Sequence, residues 1–370
     1  MRLEPYEMPF RDVIGHRRLV GLLSRSVHHE SLPPSLIFAG PAGVGKRLAA
    51  IATAQALNCL TPQLSVRLKP DPTDDLKMVR LKPDATDNDD HHIEVDACGT
   101  CAACTRIARG VHPDVLVVEP GDTGSIKIEQ VRDIVDRAAY RPFEGRRRVV
   151  IVDEADALVA PAQNALLKTL EEPPPSSVFF LITSRPDALL PTVQSRCPRL
   201  RFRPLDAHDV AAALVAGGTH TAAEARAVAA TAEGSVGRAL EASADEVVEA
   251  REVAQQVLAQ AEASDDPRRR IEGAKDLLVK SGAGGAGDRE QLASHLRAME
   301  SLLRDVELLS TRADARALAN PDVQPALERL ARTYQGERGM RAFTAVDRAL
   351  VALERNAGVK VVADWLVMNL

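Results

Sequence analysis

The stretch Ser35-Leu36-Ile37-Phe38-Ala39-Gly40-Pro41-Ala42-Gly43-Val44-Gly45-Lys46-Arg47 decides the fold of this chain. An apolar run reads as a buried strand, the glycines as a loop, and Leu48-Ala49-Ala50-Ile51-Ala52 as the start of a helix. Strand, glycine loop and helix in that order make a phosphate-binding loop. Gly40, Gly43 and Gly45 let backbone N–H groups converge on phosphate oxygens, and Lys46 can reach the β- and γ-phosphates. The next position calls for a Ser or Thr hydroxyl on Mg²⁺. Arg47 stands there instead, and a guanidinium offers only donors. The pocket is expected to hold ATP or ADP weakly or not at all.

Working outward, Val115-Leu116-Val117-Val118, Val149-Val150-Ile151-Val152 and Val178-Phe179-Phe180-Leu181-Ile182 read as further buried parallel strands, with a short fifth at Leu200-Arg201-Phe202. Helical patterns at 128–140 and 161–170 fill the gaps, so the chain to about residue 203 is expected to be an α/β domain, a parallel sheet with helices on both faces. One strand ends in Asp153-Glu154. Beside a phosphate loop these carboxylates read as a Mg²⁺-holding Asp153 and a water-polarising Glu154. Thr183, closing the next strand, is placed to sense a γ-phosphate.

Strand signals stop at Asp206. Ala-rich helical segments over 204–243 are expected to form a small helical lid, and residues 244–370 an all-α C-terminal domain broken by a flexible glycine-rich loop at 281–287. One segment stands outside this plan. Val66-Arg67-Leu68-Lys69-Pro70-Asp71 recurs as Val79-Arg80-Leu81-Lys82-Pro83-Asp84, in a proline- and acid-rich run with little to bury. Residues 61–96 therefore read as a disordered insertion.

Cys59 and the tightly spaced Cys98, Cys101 and Cys104 form the second constellation. Four thiolates can close a tetrahedral structural zinc site; an iron–sulfur cluster is the rival. Zinc on all four is the reading adopted for a knuckle over 59–104, with His91 and His92 taken as surface residues rather than ligands.

The bulk properties narrow the remaining classes. A chain of 370 residues, 45% hydrophobic and 27% charged, has room for two or three packed domains. A formal net charge of −5 argues against a broad DNA-wrapping surface. Arg146-Arg147-Arg148 is a local basic run that reads better as a strand-end feature. No run approaches the roughly 18 apolar residues of a membrane span. The N-terminus lacks an apolar signal core, so a cytoplasmic location without membrane contact is expected. Five cysteines in such a chain favour metal or isolated thiols over disulfides.

The run Asn164-Ala165-Leu166-Leu167-Lys168-Thr169-Leu170-Glu171-Glu172-Pro173-Pro174, the strand ending at Thr183, and Ser195-Arg196-Cys197 together strongly resemble bacterial clamp-loader AAA+ subunits. Phe10-Arg11-Asp12-Val13-Ile14-Gly15-His16 resembles the family segment that lies near the adenine pocket. The resemblance implies an AAA+ P-loop domain, a helical lid and a C-terminal collar that holds a ring together. It also implies that Arg196 is an arginine finger reaching a neighbouring subunit's ATP. His112-Pro113-Asp114 and Gly234-Ser235-Val236-Gly237-Arg238-Ala239-Leu240 are similar to the δ′ branch of that family. The ATP-hydrolysing γ/τ branch has Thr after the P-loop lysine and a Gly-Ser-x-Arg sensor. Arg47 and the one-residue displacement of Arg238 both depart from that pattern. The partners implied are γ/τ and δ subunits in a hetero-pentamer, acting on a β sliding clamp and primed DNA. An ATP-hydrolysing γ/τ-type motor is the alternative, and a stand-alone P-loop NTPase with a zinc knuckle a second one.

Overall fold

The computed structural model describes residues 9–67, 92–121, 124–218, 220–263, 266–278, 285–311, 318–354 and 357–370. They fall into two compact units that part after Leu205.

In the first unit five strands form a parallel sheet, β1 (Ser35–Ala39), β4 (Val115–Val118), β5 (Arg148–Val152), β6 (Ser177–Thr183) and β7 (Arg199–Arg201), in the order β4-β5-β6-β1-β7. Every residue of β1, β5 and β6 is buried, which is why these strands read as continuous apolar runs rather than alternating ones. Successive side chains point to opposite faces. Phe38, Ile151 and Phe180 therefore pack on one side with residues of α1 (Arg17–His28) and α2 (Lys46–Asn58). Ile37, Val150 and Phe179 pack on the other with α4 (Ile128–Ala138), α5 (Ala160–Glu171) and the short α6 (Pro191–Gln194). The expected helices on both faces are present. Truncating a core side chain such as Phe180, which has no exposed surface, costs about 3–5 kcal/mol.

The insertion expected over 61–96 is ordered at both ends. Strands β2 (Gln63–Arg67) and β3 (His92–Asp96) pair antiparallel, and α3 (Ala102–Ala108) follows. The hairpin is held by buried polar contacts that short strands alone do not reveal. Ser24 Oγ donates to the Val95 carbonyl at 2.7 Å and accepts from the Val95 N–H at 2.9 Å, while Asp96 accepts from the Phe10 N–H at 2.7 Å. The disorder expectation is thus wrong for these strands, and most of the duplicated run lies outside the described residues.

The described residues of the second unit form helices and their connections: α7 (Ala207–Ala216), α8 (Ala222–Thr231), α9 (Val236–Glu241), α10 (Ala244–Ala263), α11 (Pro267–Ala274), α12 (Gly285–Ser310), α13 (Gln324–Leu330), α14 (Glu337–Glu354) and α15 (Val359–Asn369). Local chemistry marks its joints. Thr221 and Glu224 form a capping box at the start of α8, and Ser235 caps α9 through the Arg238 N–H. The helices expected as a separate lid belong to the same compact unit as the rest, with α8 packed against α10 and α12. Of the expected glycine loop, residues 285–287 open α12, and 281–284 lie outside the described residues. No described helix is long and apolar enough to cross a membrane.

His112-Pro113-Asp114 proves to be scaffolding. Asp114 is fully buried and accepts from the Phe143, Glu144 and Gly145 N–H groups at 2.7–2.9 Å and from Arg148 Nη2 at 2.8 Å. Burial pushes its carboxyl pKa up, but the Arg148 and backbone donors outweigh that and hold it at about 2. Against an unfolded value of about 3.9, this stabilisation is fully present above about pH 4 and is lost as pH falls toward 2. Asp114→Asn is expected to cost about 3–5 kcal/mol near neutrality, since Arg148 is left buried without its anion. Urea unfolding should record that loss, and the gap from the parent chain should close between pH 4 and pH 2.

Candidate functional site

The phosphate loop leaves β1 at Gly40 and enters α2 at Lys46. At Gly40 only glycine fits, because a Cβ would lie 2.2 Å from the Phe202 carbonyl oxygen. Gly45 caps α2 at φ 97°, a left-handed conformation natural to glycine. His16 closes one flank: its Nε2 lies 2.9 Å from the Val44 carbonyl and its ring packs edge-on to Phe202. Burial lowers its pKa, and Lys46 adds to the effect against the bond to Val44.

The lysine and the arginine are both engaged. Lys46 is buried, and its Nζ donates back to the carbonyls of Gly40, at 2.7 Å, and Pro41. Burial lowers its pKa, opposed by the charges of Asp153 and Asp156. Arg47 Nη1 donates to Asp153 Oδ2 at 2.8 Å and pairs with Glu119. Burial alone would lower the Arg47 pKa; the two carboxylates outweigh it and raise it. A fixed organic cation therefore sits on the carboxylate that a Mg²⁺ ion would need. These residues do not fit a Mg²⁺–nucleotide complex.

Glu154 follows in the left-handed region at φ 49°, a strained backbone for a non-glycine residue, and its side chain is exposed. Thr183 pairs in register with Ala39 at the foot of the loop. Its hydroxyl is buried and donates to Asp156 Oδ1 at 2.8 Å. Asp156 also accepts from Arg185 Nε at 3.1 Å; burial pushes its pKa up, but Thr183 and Arg185 outweigh that and lower it. The structure thus sets Lys46, Arg47, Asp153 and Thr183 at the foot of the loop together with Glu119 and Asp156, which the sequence reading did not single out. Glu119 lies one residue past β4 and Asp156 in the turn after β5, and neither stands out until the fold sets a cation or a hydroxyl beside it. Arg238 lies in the second unit, where Nη1 pairs with Glu233 Oε2 at 2.7 Å.

The four cysteines converge. The sulfurs of Cys59, Cys98, Cys101 and Cys104 all lie within 4.8 Å of one another, with Cys59 and Cys101 4.0 Å apart. A single tetrahedral ion with metal–sulfur bonds of about 2.3 Å separates its sulfurs by about 3.8 Å, so the set fits one ion. The Cys98 N–H donates to Cys59 Sγ and the Cys101 N–H to Cys98 Sγ, both at 3.2 Å. Such donors stabilise thiolates. Burial pushes the Cys98 thiol up, but hydrogen bonds from Thr61, Cys101 and Thr100 bring it down to about 5. Burial raises Cys104 and Cys59. Arg146 Nη2 donates to the Cys59 carbonyl at 2.9 Å and Arg147 Nη1 to that of Pro175 at 2.6 Å, so the basic run is built into strand-end contacts. His91 and the His92 side chain lie outside the described residues.

Arg196 follows α6. Its Nε donates to Glu171 Oε1 at 2.8 Å and its Nη1 to the Thr192 carbonyl at 2.7 Å. Glu171, at the end of α5, was quoted in the sequence only as part of a run; the fold makes it the counter-ion of Arg196.

A family model described as "DNA polymerase III, delta subunit" matches residues 77–206. DNA polymerase III subunit delta′ of Pseudomonas aeruginosa is 37% identical over 159 residues, covering 43% of this chain and 39% of that protein. Over residues 77–206 the chain is thus similar to DNA polymerase III clamp-loader subunits. Among other clamp-loader relatives, the tau subunit of Escherichia coli is 31% identical over 236 residues, 62% of this chain and 32% of that protein. The tau subunit of Bacillus subtilis is 31% identical over 195 residues, 52% of this chain and 29% of that protein. The chain thus spans well under half the length of each of these relatives. The clamp-loader family match takes in the cysteine trio, Asp153, Glu154 and Arg196, and leaves out the phosphate loop and Arg238.

Proposed function

We propose that this chain is a δ′-type stator of a DNA polymerase III clamp loader. It supplies Arg196 in trans to the ATP held by a neighbouring γ/τ subunit. A guanidinium aimed at the γ-phosphate stabilises the charge that develops during phosphoryl transfer. The partners in this reading are γ/τ and δ subunits in a hetero-pentamer, which loads a β sliding clamp on primed DNA, in the cytoplasm. The C-terminal helices serve as the collar. The four cysteines hold one structural zinc, which supplies a cross-link between the end of α2 and the Cys98–Cys104 knuckle and leaves no open position for substrate.

The observation that carries this reading is the ion pairing of Arg47 with Asp153 and Glu119. A subunit that hydrolyses ATP needs a metal at that carboxylate; a subunit that only contributes a finger does not. The alternative, an ATP-hydrolysing τ-type motor, draws on the longer alignments to tau subunits, but Arg47 opposes it.

The purified chain alone is expected to show no magnesium-dependent ATP turnover. Turnover of the order of 1 s⁻¹, the low end of ordinary enzyme rates, would overturn the stator reading in favour of the motor. Arg47→Thr is expected to release Asp153 and create magnesium-dependent nucleotide binding, read with a fluorescent ATP analogue with and without chelator.

A further inference from the structure

A second group of ligating side chains lies apart from both sites above. His28 ends α1, His29 caps it, and Glu94 sits in the middle of β3. His28 Nδ1 and His29 Nε2 each lie 3.0 Å from the same atom, Glu94 Oε2. Adjacent residues within a helix point about 100° apart, so two neighbouring histidines meet at one atom only if the helix ends between them. It does: His29 has φ −87° and ψ 9°. The two rings stand edge to face with centroids 5.0 Å apart, and the three ligating atoms lie within 4.8 Å of one another.

The scaffold beneath is fixed. Ser24, one turn before His28, is bonded in both directions to Val95, the neighbour of Glu94, and both residues are buried. The ends of the three side chains reach solvent, at 42% exposure for His28, 61% for His29 and 39% for Glu94. Two imidazoles and a carboxylate on a rigid base, with open positions left for water, are the donor set of an open zinc site and suit other borderline divalent ions.

We propose that His28, His29 and Glu94 form a second metal site, open and exchangeable, for a divalent transition ion of the zinc class. An ion here replaces the protons shared between the rings and the carboxylate, and it ties the end of α1 to β3, the strand that runs on into the thiolate knuckle. This site is independent of the stator reading.

The test uses the full chain with its tightly held metal in place, titrated with Co²⁺ and then Zn²⁺. One added equivalent of Co²⁺ is expected to give a weak visible band without the intense near-ultraviolet sulfur-to-cobalt absorption, and Zn²⁺ should displace it. His28→Ala with His29→Ala, and separately Glu94→Gln, are expected to weaken that equivalent by more than about 100-fold, beyond the roughly 10–100-fold that even indirect supports of a metal site contribute. Both variants should keep the tightly held metal and the parent circular dichroism. Absence of a second equivalent in the parent chain, or its undiminished binding in the double variant, would overturn the proposal.

Discussion

Cys101→Ser is expected to lower the melting temperature of the α/β unit by about 10 °C while the helices of the second unit keep their signal. A metal on four thiolates acts as a cross-link between the end of α2 and a segment about 40 residues later in the chain. A native covalent cross-link is worth about 2–5 kcal/mol, and each kcal/mol moves the midpoint of a unit of this size by about 2–4 °C. The loss should be concentrated where the knuckle packs: Cys59 and Cys104 are fully buried and cluster with Ala97. Gln55 Nε2, in α2, also donates to the Cys104 carbonyl at 3.1 Å. Metal analysis of the parent protein should return one zinc that resists dialysis. Iron with visible absorbance, or an unchanged melting profile in the variant, would remove the structural-zinc reading.

The parts of this molecule that were legible in its sequence share a physical origin. Strands buried on both faces read as continuous apolar runs, so β1, β5 and β6 could be placed from composition alone. The phosphate loop was legible because its glycines answer a backbone requirement. The cysteines were legible because thiolates at that spacing have few other uses. The hairpin of β2 and β3 was hidden because its stability lies in partners remote in sequence, Ser24 and Phe10, and because a proline-rich run separates the strands. Glu119, Asp156 and Glu171 were hidden for a similar reason. Each is an ordinary acidic residue whose role comes only from the cation or hydroxyl that folding sets beside it. The packing of the lid helices was hidden for the same reason, since an Ala-rich helix such as α8 shows where it is helical but not that it packs against α10 and α12.

Arg196→Ala is expected to leave the chain folded and able to join its complex, yet to impair clamp loading. The folded state loses little, because Glu171, the partner of Arg196, is 48% exposed, and exposed ion pairs contribute about 0–1 kcal/mol. The effect on chemistry is much larger at one place. An arginine finger can be worth about 10³–10⁵ in rate at the site it serves. Other sites in a ring would keep hydrolysing, so total clamp-stimulated ATPase should fall partially and loading should fall further. Arg196→Lys should rescue only in part, since an ammonium cannot reproduce the planar fork that now spans Glu171 and the Thr192 carbonyl. Both readouts belong on a complex whose subunit stoichiometry has been measured. Failure of the alanine variant to assemble would make Arg196 an interface residue, and normal loading by a correctly assembled variant would end the finger reading.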